Sequence, residues 1–258
     1  MSTLLIFFYP KLNIDFTSKM LYNKLISRIR YYRNFFDSLG ENMSVKEQVS
    51  FVKETLKDFP NVNVIAATKY MDIEQTKELV ASGIKNLGEN RTDMFLEKYE
   101  ALKDYKDINW HFFGCVQSRK IRDIVNKICC LHSLDRISTA IELNKRLEKP
   151  LDCFIQINIS EESNKQGIPA NKLKTFVKQL ATCDKIKVVG LMCIAQLTFD
   201  KEELKEQFMK MKELSLEVQD MELDYAPCTR LSMGMSNDYL LAIECGATDI
   251  RLGRIFLK

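Results

Sequence analysis

Two groups of residues could do chemistry together. Lys69 directly follows the run Val64-Ile65-Ala66-Ala67-Thr68. A lysine at the end of a buried run stands at a cavity mouth, where partial burial and a cation such as Arg251 would depress its pKa and expose a nucleophilic amine. Near the other end of the chain, Ser232-Met233-Gly234-Met235-Ser236 supplies two hydroxyls and a glycine ahead of a helical stretch, and Arg251-Leu252-Gly253-Arg254 supplies a second glycine. Ser236 is expected to cap that helix, and the glycines to let main chain approach an anion closely. Each group alone has a plainer reading: a solvated lysine, and a helix cap beside a tight turn. Together, an imine-forming amine opposite a phosphate cradle is the arrangement a pyridoxal phosphate site requires.

Those residues need a scaffold that brings positions 69, 232–236 and 251–254 to one place. From Asn63 onward the chain repeats an apolar run, turn residues and a helical pattern. The runs are Val64–Thr68, Ile84–Gly88, Asn109–Gly114, Ile128–Leu134, Cys153–Ile159, Val188–Ala195, Arg230–Gly234 and Thr248–Gly253. Helical stretches lie between them at 72–82, 92–103, 118–127, 137–147, 169–182, 201–221 and 236–245, after a first one at 44–57. Asp72 with Gln75 forms a capping pattern, Pro169 suits a first turn, and Gly83 and Gly246 follow last turns. Leu204, Phe208, Met211, Ser215 and Val218 make one buried stripe on the longest helix. Eight strands alternating with helices fit an α/β fold of the (βα)8 TIM-barrel type better than an open doubly wound sheet, because no GxGxxG turn follows the first run. In such a barrel the strand C-termini form the active face. Thr68-Lys69-Tyr70, Gly88-Glu89-Asn90, Trp110-His111 and the segment Asn158, Ser160, Lys165 then join the two groups above.

Composition narrows the setting. The chain has 258 residues, of which 46% are hydrophobic, with 38 Lys and Arg against 35 Asp and Glu. Its first 42 residues hold six basic and three acidic residues, which leaves the remainder formally neutral. A neutral body gives no argument for nucleic acid or an anionic membrane. The eight cysteines form no CxxC pair and mostly sit in apolar runs, as reduced thiols of a cytoplasmic protein do. His111 and His132 have no partner at zinc-knuckle spacing, so no metal site is expected. The start, MSTLLIFFYPKLNIDF, lacks a basic n-region and a cleavage site, so no signal peptide is expected.

Residues 1–42 also hold nine of the 25 aromatic residues. That shift fits either a basic, aromatic amphipathic helix over Leu21–Phe36 that docks on a surface or a translated upstream region. Gly40-Glu41-Asn42-Met43 can be encoded by GGA GAA AAT ATG, a ribosome-binding element ahead of a start codon. The domains are accordingly an extension, 1–42, and a barrel, 43–258, with Met43 the preferred native start.

The stretches VIAATKY, NLGENRTD, INWHFFGCVQSRK, LHSLDR, FIQINISEESNKQGI, VVGLMCIA and RLSMGMSNDYLLAIECGATDIRLGRIF follow one another across residues 45–258. At these residues the sequence resembles the pyridoxal phosphate homeostasis protein family, single-domain relatives of the alanine racemase N-terminal barrel. The resemblance implies pyridoxal 5'-phosphate held as an aldimine on Lys69, with Ser232, Met233, Gly234 and Gly253 as phosphate contacts and Arg251 facing the pyridine nitrogen. An arginine there keeps that nitrogen unprotonated and the ring a weak electron sink. Asn90 and His111 would lie near the cofactor. Where many members have a threonine after the RxG glycine, this chain has Arg254, whose guanidinium could pair with the phosphate or point away.

Racemase-type relatives complete their acid–base pair with a tyrosine from a further β domain, and the chain stops at Lys258. The resemblance therefore implies a non-enzymatic holder of the cofactor that maintains its intracellular supply, serves pyridoxal phosphate-dependent apoenzymes, and is a monomer or weak dimer. Two alternatives stay open. One is a pyridoxal phosphate-dependent amino-acid racemase using Tyr70 or His111 as second base. The other is a Schiff-base aldolase using Lys69 on a sugar phosphate.

Overall fold

The computed structural model describes residues 43–160, 166–196 and 200–257. The extension 1–42, with its expected helix at Leu21–Phe36, and Lys165 lie outside the described residues. Eight parallel strands close on themselves in sequence order: β1 Asn63–Ala67, β2 Asn86–Glu89, β3 Asn109–Phe112, β4 Cys130–Leu134, β5 Leu151–Ile157, β6 Ile186–Cys193, β7 Arg230–Met235 and β8 Asp249–Leu252. Closure is direct, because β1 pairs with β2 at Ala66↔Leu87 and with β8 at Ala66↔Leu252. This is the TIM barrel expected from the eight runs, and no strand is left with an open edge.

The helices are α1 Val45–Thr55, α2 Ile73–Ala81, α3 Thr92–Ala101, α4 Ile121–Ile124, α5 Ile137–Arg146, α6 Leu173–Gln179, α7 Lys201–Gln219 and α8 Tyr239–Glu244. Ser44 with Glu47 and Asp72 with Gln75 both form reciprocal capping boxes at the starts of α1 and α2. The expected stripe on α7 is buried at all five positions. Helix α4 is much shorter than its pattern suggested. Asn126 takes a left-handed conformation, φ 62°, and its side chain bonds the main chain at Arg146 and Glu148, which stops the helix. The expected helix at 169–182 is likewise divided, with 3-10 turns on both sides of α6.

Two kinds of packing hold the barrel. A large apolar layer lies between strands and helices, where Phe95 of α3 meets Trp110 and Phe112 of β3 edge to face. Inside the barrel only Cys130, Phe154, Val189 and Met192 form an apolar cluster. Beside it lies a buried polar set, His111, His132, Ser232 and Arg251. Branched aliphatic residues usually fill this space, so the polar set has to be justified by its hydrogen bonds. Among the described residues no helix is long and apolar enough to cross a membrane. All eight cysteines are free thiols, six of them buried.

Candidate functional site

At the C-terminal ends of the strands, the loops after β1, β7 and β8 adjoin. Lys69 follows β1 and is exposed, with its ammonium 4.6 Å from the centre of the Tyr70 ring. The partial burial expected of Lys69 is therefore not found: Thr68 is still buried, and the chain turns outward at Lys69. Gly253 ends β8 beside it, so close that a Cβ there would stand 2.9 Å from the Ala67 carbonyl oxygen. The N–H groups of Gly253 and Ile255 both point at the Ser236 hydroxyl, each at 3.4 Å. That is long for an N–H···O bond, so both donors remain poorly satisfied.

The two loops come together, but with their side chains placed differently from the expectation. Ser236 does not cap α8, because Asp238 occupies the N-cap and accepts the Met235 N–H at 2.5 Å. Released from that duty, the Ser236 hydroxyl faces the β8 loop. Ser232 is a correction. Residues alternate sides along β7, so Met233 joins the helix-facing layer while the Ser232 hydroxyl lies inside the barrel, bonded to Arg251 and His132. Ser232 cannot offer its hydroxyl to the cradle, and Met233 can offer only main chain. Gly234 is needed for its backbone: at φ 92°, an added Cβ would meet Ala242 Cβ at 2.7 Å. Asn90 is exposed at the end of β2, and Arg254 is exposed in the turn after Gly253.

Below the mouth runs a buried chain of hydrogen bonds. Arg251 donates through one terminal nitrogen to the Ser232 carbonyl (2.7 Å) and hydroxyl (2.8 Å), and through the other to the Cys193 carbonyl (2.8 Å). His132 Nδ1 lies 2.8 Å from the Ser232 hydroxyl, and His132 Nε2 lies 2.9 Å from His111 Nδ1. Burial holds both imidazoles neutral, with the His111 pKa pushed down to about 4 and that of His132 well below its ordinary value. Arginine can only donate, so the Ser232 proton goes to His132 Nδ1. His132 then donates from Nε2 to His111, and His111 keeps its own proton on Nε2. Every donor faces away from Arg251, and a guanidinium fixed on three acceptors sits at the top. His111 itself lies at the opposite end, lining a pocket of about 300 Å³ at the N-terminal mouth, so it is not at the Lys69 end as expected.

A second buried network was not foreseen. Lys98 of α3 donates to Glu89 at 2.6 Å and to the Thr68 carbonyl at 2.6 Å, and the Thr68 hydroxyl donates to the same Glu89 oxygen. It ties the residue before Lys69 to β2 and α3. The only sequence signal was a pair of charges, Glu89 and Lys98, inside otherwise packed elements. Gln156 is also informative. It points into the barrel from β5, and its buried carbonyl oxygen accepts from no described residue.

Known proteins match this arrangement. The alanine racemase N-terminal domain family matches residues 44–257. A protein of Aquifex aeolicus named pyridoxal phosphate homeostasis protein is 38% identical over 195 residues, covering 74% of this chain and 84% of its own. One of the same name from Synechocystis is 36% identical over 200 residues, covering 76% and 90%. Among solved structures, PipY of Synechococcus elongatus with PLP bound superimposes with a TM-score of 0.76 at 29% identity, covering 83% of this chain and all of PipY.

Proposed function

Because the chain belongs to the pyridoxal phosphate homeostasis proteins, built on the alanine racemase N-terminal domain, we propose that it holds pyridoxal 5'-phosphate through Lys69 and maintains its supply. The observation that carries this reading is the contact of Gly253 with Ala67, which sets two underused N–H groups and the Ser236 hydroxyl beside the strand that ends in Lys69. The residues fit the cofactor: Gly253, lacking a side chain, packs against the Ala67 carbonyl with its N–H directed to the same point as that of Ile255, and the buried Gln156 carbonyl oxygen accepts from no described residue. When bound, pyridoxal phosphate supplies an aldehyde that amines capture reversibly and a ring that draws electrons from them.

The chain's own groups divide the work. Ser236 and the N–H groups of Gly253 and Ile255 bind the phosphate, with Gly234 shaping the loop and Arg254 at its rim. Lys69 supplies the amine, and Asn90 stands at the edge. Arg251 spends three of its five N–H groups on Ser232 and Cys193, which leaves donors for the ring nitrogen. A donor there requires the nitrogen to accept, so it stays unprotonated and the ring is a weak electron sink. That favours a holder serving apoenzymes over a catalyst, and the free thiols suit a reducing, cytoplasmic setting.

The deciding experiment treats the protein with pyridoxal phosphate, reduces it with borohydride and maps the modified residue beside Lys69→Ala. Label on Lys69, absent from the variant, is expected. Label spread over surface lysines and unchanged in the variant overturns the reading. One observation favours a racemase: the Lys69 ammonium lies over the Tyr70 ring, 4.6 Å from its centre. Solvent deuterium entering the α position of an amino acid, lost in Tyr70→Phe, would establish it. We further propose Met43 as the native start, supported by the Ser44 capping box and the family match from residue 44. A chain beginning at Met43 should bind the cofactor as the full chain does.

A further inference from the structure

The N-terminal end of the barrel carries a group of ligating side chains that the cofactor reading does not use. His111 on β3 and Cys130 on β4 are register partners, and His132, two residues along β4, shares the inward face of Cys130. One ligating atom from each lies within 4.8 Å of the others, and all three residues are buried. Their sequence positions hid the group, because the spacing follows strand pairing and no helix or knuckle repeat. We propose that His111, Cys130 and His132 bind a single Cu(I) ion that enters from the N-terminal mouth.

Four features support the site and the choice of metal. A thiolate with two imidazoles is a soft donor set that favours copper, and the thioether residue Met192 packs in the same interior cluster as Cys130. Charge is compatible with the monovalent ion: Cu(I) on a thiolate is neutral overall and adds no charge to this buried group, where the Arg230 guanidinium is already balanced by Asp249. An entry path exists, because His111 and Cys130 line the pocket at the mouth together with Cys129 and Asp152. The surrounding support is also present, since the far nitrogen of His132 meets the Ser232 hydroxyl, the kind of partner that orients a ligating imidazole.

The geometry asks for small movements. Metal–nitrogen and metal–sulfur bonds of about 2.0 and 2.3 Å place ligand atoms roughly 3.3–3.6 Å apart. The two imidazole nitrogens, now 2.9 Å apart, must open slightly, and the most distant pair must close by about an ångström. The protons balance. Cys130 loses its thiol proton to solvent as the S–Cu bond forms. The proton on His132 Nε2 moves to Nδ1 and is donated to the Ser232 oxygen, the Ser232 O–H that had pointed at Nδ1 turns away, and His111 keeps its proton on Nε2. No electron is transferred.

The test titrates the full-length protein, reduced and under anaerobic conditions, with Cu(I) against the chromogenic chelator bicinchoninate, beside Cys130→Val and a Cys115→Ser/Cys129→Ser double variant. Wild type and the double variant should withdraw one equivalent that Cys130→Val does not. Cys130→Val removes the thiol but keeps an apolar side chain, and its fold is checked by circular dichroism. X-ray absorption of the wild-type complex gives a second readout that needs no variant, with two nitrogen ligands and one sulfur expected. Equal copper uptake by Cys130→Val, an all-sulfur shell, or displacement of the copper by equimolar Zn(II) overturns the proposal. None of these readouts depends on pyridoxal phosphate.

Discussion

The ammonium of Lys98 donates to the main-chain carbonyl of Thr68 at 2.6 Å, the residue immediately before Lys69. Glu89, also buried, holds that ammonium from the adjoining strand. The end of β1 is thus fixed by a charge pair lying behind it, while Lys69 stays exposed one residue further on. A buried ion pair adds little net stability, but it specifies geometry, here the direction in which the chain leaves the barrel.

Removing one member of that pair should cost more than the pair contributes. In Glu89→Gln the Lys98 charge stays buried without its counter-charge, and a loss of about 3–5 kcal/mol is expected in urea unfolding. The double variant Glu89→Leu/Lys98→Met should recover most of it. A double variant no better than Glu89→Gln would show that the charges do more than compensate each other.

Gly253→Ala tests the cradle. Its Cβ would press on a main-chain oxygen of β1, 2.9 Å away, which cannot swing aside as a side chain can. The loop must shift, so the N–H groups of Gly253 and Ile255 lose their common focus. A tenfold or greater weakening of pyridoxal phosphate binding is expected, about 1.4 kcal/mol. Unchanged affinity would place the phosphate elsewhere.

Ser232 and His132 should behave as a unit. Ser232→Ala removes the acceptor of an Arg251 N–H and the donor to His132 together, leaving buried groups unpaired at a cost of about 1–3 kcal/mol. His132→Asn should overlap with it. A double-mutant cycle should give a coupling above ~1 kcal/mol, and additivity within ~0.3 kcal/mol would mean the two side chains do not share a network.

The contrast between these networks and the fold explains what the sequence could reveal. Strands covered on both faces read as continuous apolar runs, so all eight were legible, as was the α7 stripe. The positions of Lys69 and Gly253 at strand ends were legible because each stands at the end of a run. Ser232 and Ser236 could not be told apart, since their sides follow from the phase of β7 and from Asp238 taking the cap. The chain from Arg251 to His111 joins β8, β7, β4 and β3, and no local spacing encodes a contact between residues 100 positions apart, as Ser232 and His132 are. Helix ends failed where a side chain, such as Asn126, bonded the main chain instead.

The same buried imidazoles make stability depend on pH in a window of their own. Burial holds His111 neutral in the folded protein until about pH 4, whereas in the unfolded chain it takes up a proton near its ordinary value of 6.5. Between those values the unfolded state binds more protons, so stability is complete above pH 6.5 and falls as pH drops toward 4. The loss from His111 alone should reach roughly 2 kcal/mol by pH 5 and about 3 kcal/mol at the lower limit. His132, shifted in the same direction by its burial, adds to it. Burial also raises the Asp238 carboxyl, so the His111 share is read as the difference between wild type and a His111 variant. Urea unfolding at pH 7.5, 6 and 5, on wild type and His111→Asn, checks it. The wild-type curve should fall steeply and the variant's less so. Parallel curves would show that His111 is not the neutral, buried base assigned at the foot of the chain from Arg251.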